Sequence, residues 1–160
     1  MRNKVVKEVT FAGLVAALYF VITMLSAPLS YGQVQCRLSE MLLYLCIHNR
    51  FAVWGYAIGC ALANISSPLG IVDVVLGGVC NWVCGHLAYK SGGMIPAFLY
   101  GVFLNAAVVG LELWMFYGLP FFESAGFVAV GQMAALGMGM LIFYTVGNRL
   151  QRIINRYVKG

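Results

Sequence analysis

The densest group of polar side chains in this sequence lies between positions 31 and 40, within an otherwise apolar chain. Its candidates for ligand contact are Tyr31, Gln33, Gln35, Arg37 and Glu40. Arg37 and Glu40 are three residues apart at the start of a short apolar segment, so they can share one helical face and pair. An exposed loop with a capping pair has this pattern. The substrate sites of membrane transporters have the same pattern, because a short or interrupted helix lies there beside polar backbone.

Further polar residues recur in the apolar segments that follow. Asp73 begins a stripe in which Gly77, Asn81 and Gly85 follow at steps of four, and residues so spaced share one helical face. Asn64 lies across a short loop from this stripe. Polar groups at membrane depth are costly and usually face a cavity or the bundle interior. Hydrogen bonding between helices explains an asparagine such as Asn81 as well as ligand contact does.

A later apolar segment carries Asn105 and Glu112, which are seven residues apart and therefore share a face. Hydrogen bonding between helices is again an alternative for Asn105. A carboxylate in the apolar surroundings of Glu112 requires a partner, which we expect to be Arg37 or a ligand. Trp82 could stack on a planar ligand, although packing in the core is the more common role of a tryptophan.

The segments that must position these residues are long enough to cross a bilayer, which takes about 20 residues. Of the 160 residues, 62% are hydrophobic and 9% are charged, against about 25% charged in soluble domains. A water-soluble monomer is therefore excluded. We expect an all-α membrane protein, a bundle of six transmembrane helices in a single integral membrane domain, 1–160. The predicted helices are about 5–27, 38–47, 51–65, 71–89, 94–117 and 127–150.

The distribution of charge predicts the topology. The formal net charge is +5, and nine of the ten basic residues fall on one side if the N-terminus is inside, leaving Arg37 alone outside. Cytoplasmic loops carry such an excess of Lys and Arg, so we expect a multi-pass protein of the cell membrane with both termini cytoplasmic. The basic excess then requires no nucleic-acid partner. Four of the five acids, Glu40, Asp73, Glu112 and Glu123, fall on the outer side, either in solvated loops or around an outward-facing pocket.

No motif for catalysis or for energy coupling is visible. The sequence has no phosphate-binding loop of the Walker type, no Ser/His/Asp arrangement and no Cys-x-x-Cys spacing among its five cysteines. We therefore predict a protein that is not an enzyme, has no cofactor or metal, and cannot use ATP alone. Ala12 and Ala16 have the four-residue spacing that allows close helix approach, within the bundle or to another protein.

The stretch Leu29–Glu40 resembles the signature of the QueT family, the substrate-binding S-components of energy-coupling-factor (ECF) transporters assigned to queuosine precursors. The resemblance continues in order through most of the chain, with Gln-x-Arg-x-Ser-Glu as its most specific part. Its further matches are Gly59-Cys60, Ala63-Asn64, Ser67–Gly70, Asp73, Gly77, Asn105-Ala106 and Gly110–Glu112. A departure is Gln132, where many relatives have an acidic residue.

The resemblance implies a six-helix S-component with a transmembrane coupling subunit and two ATP-binding subunits as partners, and a 7-deazaguanine base, such as queuine or its aminomethyl precursor, as substrate. Such a base has a donor-rich edge, which suits carboxylate and amide acceptors. We expect Glu40, Asp73 and Glu112 to accept these donors, and Arg37, Gln33, Gln35, Asn64 and Asn105 to orient the base. Tyr31 or Trp82 would stack on the ring. Ala12 and Ala16 would dock on the coupling subunit.

An alternative needs no partner subunit. The chain would then be a self-contained, proton-coupled secondary transporter or a channel for a small cationic or donor-rich solute, with Glu112 as the proton site.

Overall fold

The computed structural model describes residues 2–30 and 35–159, and every regular element in these two ranges is helical. The helices are α1 (Arg2–Leu25), α2 (Ala27–Ser30), α3 (Leu43–Cys46), α4 (Arg50–Asn64), α5 (Ile71–Ser91), α6 (Met94–Tyr117) and α7 (Phe121–Lys159). A 3-10 turn, Leu38–Leu42, leads directly into α3. The predicted all-α architecture is confirmed.

Four of these helices are long and apolar enough to cross a membrane. Their candidate spans are Val5–Leu25, Ile71–Ser91, Met94–Tyr117 and Phe121–Gly147. The 15 residues of α4 measure roughly 22 Å, which is less than the hydrocarbon thickness of about 30 Å. The predicted number of six spans and the cytoplasmic position of both termini stay predictions.

Two predicted segments differ from the observed helices. The predicted segment 127–150 corresponds to α7, which begins at Phe121 rather than at about 127. The amide of Ser124 already donates to the carbonyl of Pro120, and Glu123 in the first turn favours a helix start there. It continues to Lys159, so α7 has 39 residues and is roughly 58 Å long. The segment predicted at 38–47 is the 3-10 turn followed by the single turn of α3.

This short segment lies inside the bundle. The long helices form a ring in which α1 packs on α4, α4 on α5, α5 on α6 and α6 on α7, and the 3-10 turn fills the space between α7 and α1. Leu43, Tyr44 and Cys46 are almost completely buried. The hydroxyl of Tyr44 donates to the carbonyl of Leu136 in α7 over 2.9 Å. The ring of helices therefore holds the polar residues of the 3-10 turn away from the surface.

The contact between α1 and α4 depends on two glycines. A Cβ at Gly55 would lie 2.3 Å from the carbonyl oxygen of Ala12, and a Cβ at Gly59 would lie 2.8 Å from that of Ala16. Small residues at a four-residue spacing allow two backbones to approach this closely. The crossing brings Tyr19 of α1 and Tyr56 of α4 into an edge-to-face contact with ring centroids 5.4 Å apart.

Candidate functional site

Glu40 lies at the centre of a buried hydrogen-bonded cluster to which three helices contribute. The hydroxyl of Tyr19 donates to Oε1 of Glu40 over 2.5 Å, and the hydroxyl of Tyr56 donates to Oε2. Asn81 donates from Nδ2 to Oε1 of Glu40 over 3.2 Å and to the hydroxyl of Tyr19 over 3.1 Å. All four side chains are at most 1% exposed. These donors offset the large cost of burying a carboxylate.

The 3-10 turn carries Glu40 into this position. Ser39, the preceding residue, is fully buried, and its hydroxyl lies 2.7 Å from that of Thr23 in α1. Thr23 in turn donates to the carbonyl of Tyr19 over 2.9 Å. The turn is thus joined to α1 by the contact of Ser39 with Thr23 and by the hydrogen bond of Glu40 with Tyr19. These two contacts fix the direction of the Glu40 carboxylate.

Arg37 belongs to a neighbouring polar network. It is 7% exposed, its Nη1 lies 3.6 Å from Sγ of Cys60, and it lies within electrostatic range of Glu40, Asp73 and Glu112. The interpretation of this stretch as an exposed loop with a capping pair is therefore wrong for Arg37 and Glu40. Both side chains are buried.

Asn64 connects the end of α4 to the start of α5. Its Nδ2 donates to the backbone carbonyl of Asp73 over 2.8 Å and lies 3.6 Å from Sγ of Cys60. A Cβ at Gly77 would lie 2.3 Å from that same Nδ2. Glycine at position 77 is therefore what allows Asn64 to reach across.

A cavity of about 380 Å³ opens at the end of the bundle where α4 and α6 end and α5 and α7 begin. This volume is typical of sites for small molecules. The cavity is lined by Gln35, Ser67, Pro68, Leu69, Asp73, Glu112, Leu113, Tyr117, Leu119, Pro120, Glu123, Ser124 and Phe127. These residues include three acids, two large aromatic rings and neither lysine nor arginine.

Several buried polar atoms have no hydrogen-bond partner within the described part of the chain. They are Oδ1 of Asn64, Oδ1 of Asn81, Oε1 of Glu112 and Oε1 of Gln132. All four are acceptors, and an unsatisfied buried acceptor costs about 1–3 kcal/mol. Native proteins leave few such groups unpaired unless a ligand, ion or water satisfies them. The arrangement is therefore suited to a ligand that supplies several N–H donors.

The profile of the family described as QueT transporter matches residues 9–148.

The chain belongs to the QueT transporter family.

A relative from Lactococcus lactis subsp. cremoris (strain MG1363), named "Queuosine precursor transporter QueT", is 30% identical to this chain. That similarity covers 94% of this chain and 98% of the relative. No solved structure matches the chain at a significant level. Family membership makes the protein a membrane transporter and not an enzyme, and the long apolar helices agree with a multi-pass membrane protein.

The structure brings some of the predicted site residues of this family member to the cavity. Gln35, Asp73 and Glu112 line it. Gln35 does so from a left-handed backbone conformation, with φ of 42°, which is uncommon for a residue other than glycine. Tyr31 and Gln33 lie outside the described residues.

Other predicted residues are buried and are not among the lining residues of the cavity. Arg37, Glu40 and Asn64 belong to the two polar networks described above. Asn105 is 6% exposed, and its Nδ2 donates to the carbonyl of Gly101 over 2.9 Å. Its Oδ1 lies 3.7 Å from Sγ of Cys80, so this asparagine hydrogen-bonds between helices, the alternative that the sequence left open.

The structure places three further predicted residues, Trp82, Ala12 and Ala16, away from the cavity lining. Trp82 is 36% exposed on the outside of α5, where it stacks on His86 with centroids 5.3 Å apart, and it is not a lining residue of this cavity. Ala16 is buried and Ala12 half-buried, and both pack on the glycines of α4. The exposed small residues of α1 are their neighbours Gly13 and Ala17.

Three lining residues and one buried amide were not among the site residues predicted from the sequence. Glu123, Tyr117 and Phe127 line the cavity, and Gln132 is 4% exposed with an unpartnered acceptor. A signal existed for two of them, since Glu123 is one of the outer acids and Gln132 is an amide inside an apolar helix. The two aromatic residues are indistinguishable by sequence from the many others in this chain.

Proposed function

We propose that this chain is the substrate-binding membrane subunit of an ECF-type importer, and that its substrate is a queuosine precursor. The substrate class is a 7-deazaguanine base, such as queuine or its aminomethyl precursor. The base would bind in the cavity between α5, α6 and α7 and would be delivered to the cytoplasm. The partners would be a transmembrane coupling subunit and two ATP-binding subunits.

The observation that carries the proposal is the unpartnered buried acceptor of Glu112, which lines the cavity, together with further unpartnered acceptors in the interior on Asn64, Asn81 and Gln132. A 7-deazaguanine presents a ring N–H and an exocyclic amino group along one edge, and a second ring N–H on its five-membered ring. Each donor has a natural counterpart in a carboxylate or amide oxygen. An anionic vitamin would instead bring further negative charge to a cavity whose described lining has three acids and neither lysine nor arginine.

The lining of the cavity supports the same substrate class. The acids Asp73, Glu112 and Glu123 suit a cationic aminomethyl group. The rings of Tyr117 and Phe127 offer faces on which a planar base can stack, as aromatic side chains do for nucleobases. Arg37, Gln35 and Gln33 would orient the base from the segment before the 3-10 turn, and Tyr31 belongs to the same segment.

Calorimetry on the purified protein tests the binding claim. We expect an aminomethyl 7-deazaguanine to bind without ATP, and we expect Glu112→Gln to weaken binding by about tenfold or more, because hydrogen bonds to a charged group contribute about 1.5–3 kcal/mol. Glu8→Gln is the matched control, since Glu8 lies in the first turns of α1 at the other end of the bundle. A protein that binds none of the 7-deazaguanines would disprove the substrate assignment.

Reconstitution into liposomes tests the ECF assignment. We expect the chain alone to bind substrate without accumulating it, and we expect uptake only when the coupling subunit and both ATP-binding subunits are present with ATP. Uptake by the lone chain driven by a proton gradient would support the self-contained secondary transporter instead.

The docking surface is proposed on α1. The docking residues predicted from the sequence, Ala12 and Ala16, pack on α4. The exposed small residues beside them, Gly13 and Ala17, would therefore form the docking surface. We expect Gly13→Leu to reduce assembly with the coupling subunit without changing base affinity, since no other atom lies within 4 Å of a Cβ built at Gly13.

A further inference from the structure

An apolar groove of about 350 Å³ runs along the outside of the bundle between α4 and α5. This surface, called here the α4/α5 groove, is lined by Trp54, Ala57, Ile58, Ala61, Val74, Val75, Gly78, Val79 and Trp82. Its larger side chains are exposed, for example Ile58 at 49% and Val79 at 57%. In a membrane protein such a groove faces the acyl chains, and its concave shape distinguishes it from a flat lipid-facing surface.

The groove has basic residues at one end. Arg50 lies one turn before Trp54 on the same face of α4, and it is exposed. On α5, which runs antiparallel to α4, His86 and Lys90 follow Trp82 at steps of four and lie toward the same end. Two cations and an imidazole therefore flank the point at which the apolar groove ends.

Two tryptophans mark the boundary between the apolar and the basic part. The indole rings of Trp54 and Trp82 have centroids 6.0 Å apart, and the ring of Trp82 stacks on that of His86 with an interplanar angle of 6°. Indole rings in membrane proteins favour the level of the lipid headgroups, because one edge is polar and the rest is apolar. The order along the groove is thus apolar, aromatic and basic, which is the order of groups in a phospholipid from chain to phosphate.

We propose that the α4/α5 groove binds an anionic phospholipid, with one acyl chain between Ile58 and Val79 and the phosphate beside Arg50 and Lys90. The charge complementarity selects an anionic headgroup over a zwitterionic one. Basic side chains near an anionic lipid surface each change the binding constant by about fivefold. This site is separate from the substrate cavity and does not depend on the identity of the substrate.

The three tryptophans of the chain provide the test. A Trp114→Phe variant keeps both groove tryptophans as reporters, whereas a Trp54→Phe/Trp82→Phe variant keeps only Trp114, which is 54% exposed on α6. Each variant is reconstituted with phosphatidylglycerol or phosphatidylcholine that carries bromine on its acyl chains, which quenches tryptophan fluorescence on contact. We expect the brominated phosphatidylglycerol to quench the groove reporters at several-fold lower mole fraction than phosphatidylcholine, and we expect Trp114 to be quenched equally by both.

Substitution of the basic residues in the Trp114→Phe background tests the position of the headgroup. We expect Arg50→Gln and Lys90→Gln each to reduce the anionic preference about fivefold, whereas Arg50→Lys retains it. Arg149→Gln, at an exposed position of α7, is the control and leaves the preference unchanged. Equal quenching of the groove reporters by both lipids overturns the proposal. The proposal is also overturned if the lone protein has no lipid preference and the coupling subunit shields the groove tryptophans from quenching by the brominated lipids. The groove would then be a protein-docking surface.

Discussion

The hydroxyl of Tyr19 donates a hydrogen bond of 2.5 Å to Oε1 of Glu40, and neither side chain is more than 1% exposed. This bond joins α1 to the 3-10 turn, two elements that are 21 residues apart at this point. Tyr56 completes the pairing from α4. The carboxylate is therefore a structural junction of the bundle.

Removal of one phenol from this junction is expected to destabilise the protein. Tyr19→Phe leaves Oε1 of Glu40 with one donor fewer in a buried position, so we expect the free energy of unfolding to fall by about 1–3 kcal/mol. Thermal unfolding in detergent measures the change. Tyr89→Phe is the matched control because Tyr89 is 41% exposed, and equal stability of the two variants would contradict the role assigned to Tyr19.

The contact of α1 with α4 gives a second expectation. Gly55→Ala would place a Cβ 2.3 Å from the backbone oxygen of Ala12, and overpacking of this kind costs about 1–3 kcal/mol. Gly137→Ala serves as the comparison, since nothing lies within 4 Å of a Cβ at that helical position. We expect a lower melting temperature for Gly55→Ala and not for Gly137→Ala. An unchanged melting temperature of Gly55→Ala would show that α1 and α4 can separate without cost.

Gln132 allows ligand binding to be separated from stability. Gln132→Leu removes the unpartnered acceptor from a buried position, so we expect the melting temperature of the free protein to be retained or raised. We expect affinity for the base to fall about tenfold, because the bound ligand loses one acceptor. Calorimetry and thermal unfolding on the same preparation measure both quantities. Unchanged affinity would place Gln132 outside the binding site.

The aromatic residue that stacks on the base can be identified by substitution. Stacking on an aromatic side chain contributes about 1–3 kcal/mol per base, so we expect Phe127→Ala to weaken binding roughly tenfold or more. Phe122→Ala is the control, since Phe122 is 87% exposed and does not line the cavity. Trp82→Ala in the same assay tests the sequence-based prediction, which would be supported by a comparable loss of affinity.

Much of the fold is predictable from the sequence, because long apolar segments have few alternatives in a membrane. A helix satisfies its own backbone hydrogen bonds, so α1, α5 and α6 follow from apolar runs bounded by turn residues such as Gly92 and Gly118. Periodicity alone does not reveal that the segment after Arg37 folds as a 3-10 turn and a single helical turn. Its path depends on neighbours as distant in sequence as Leu136, whose carbonyl accepts from Tyr44.

The polar site was predicted in part for the same reason. Charge is so scarce in this chain that Arg37, Glu40, Asp73 and Glu112 stand out, and the cost of burying them implies partners. The partner of each residue depends on distances between helices, and spacing along one helix does not determine these distances. Only the structure shows that Glu40 accepts hydrogen bonds from Tyr19, Tyr56 and Asn81.

The sequence by itself determined that this is an all-helical, multi-pass membrane protein with a small set of polar residues, since hydropathy and charge are local properties of the chain. Only the tertiary structure decided which of those residues face the cavity. It places Glu123, Tyr117 and Phe127 there beside Asp73 and Glu112, and it directs Trp82 outward. The rotation of each helix about its axis makes this choice, and that rotation is set by close contacts such as that of Gly59 with Ala16.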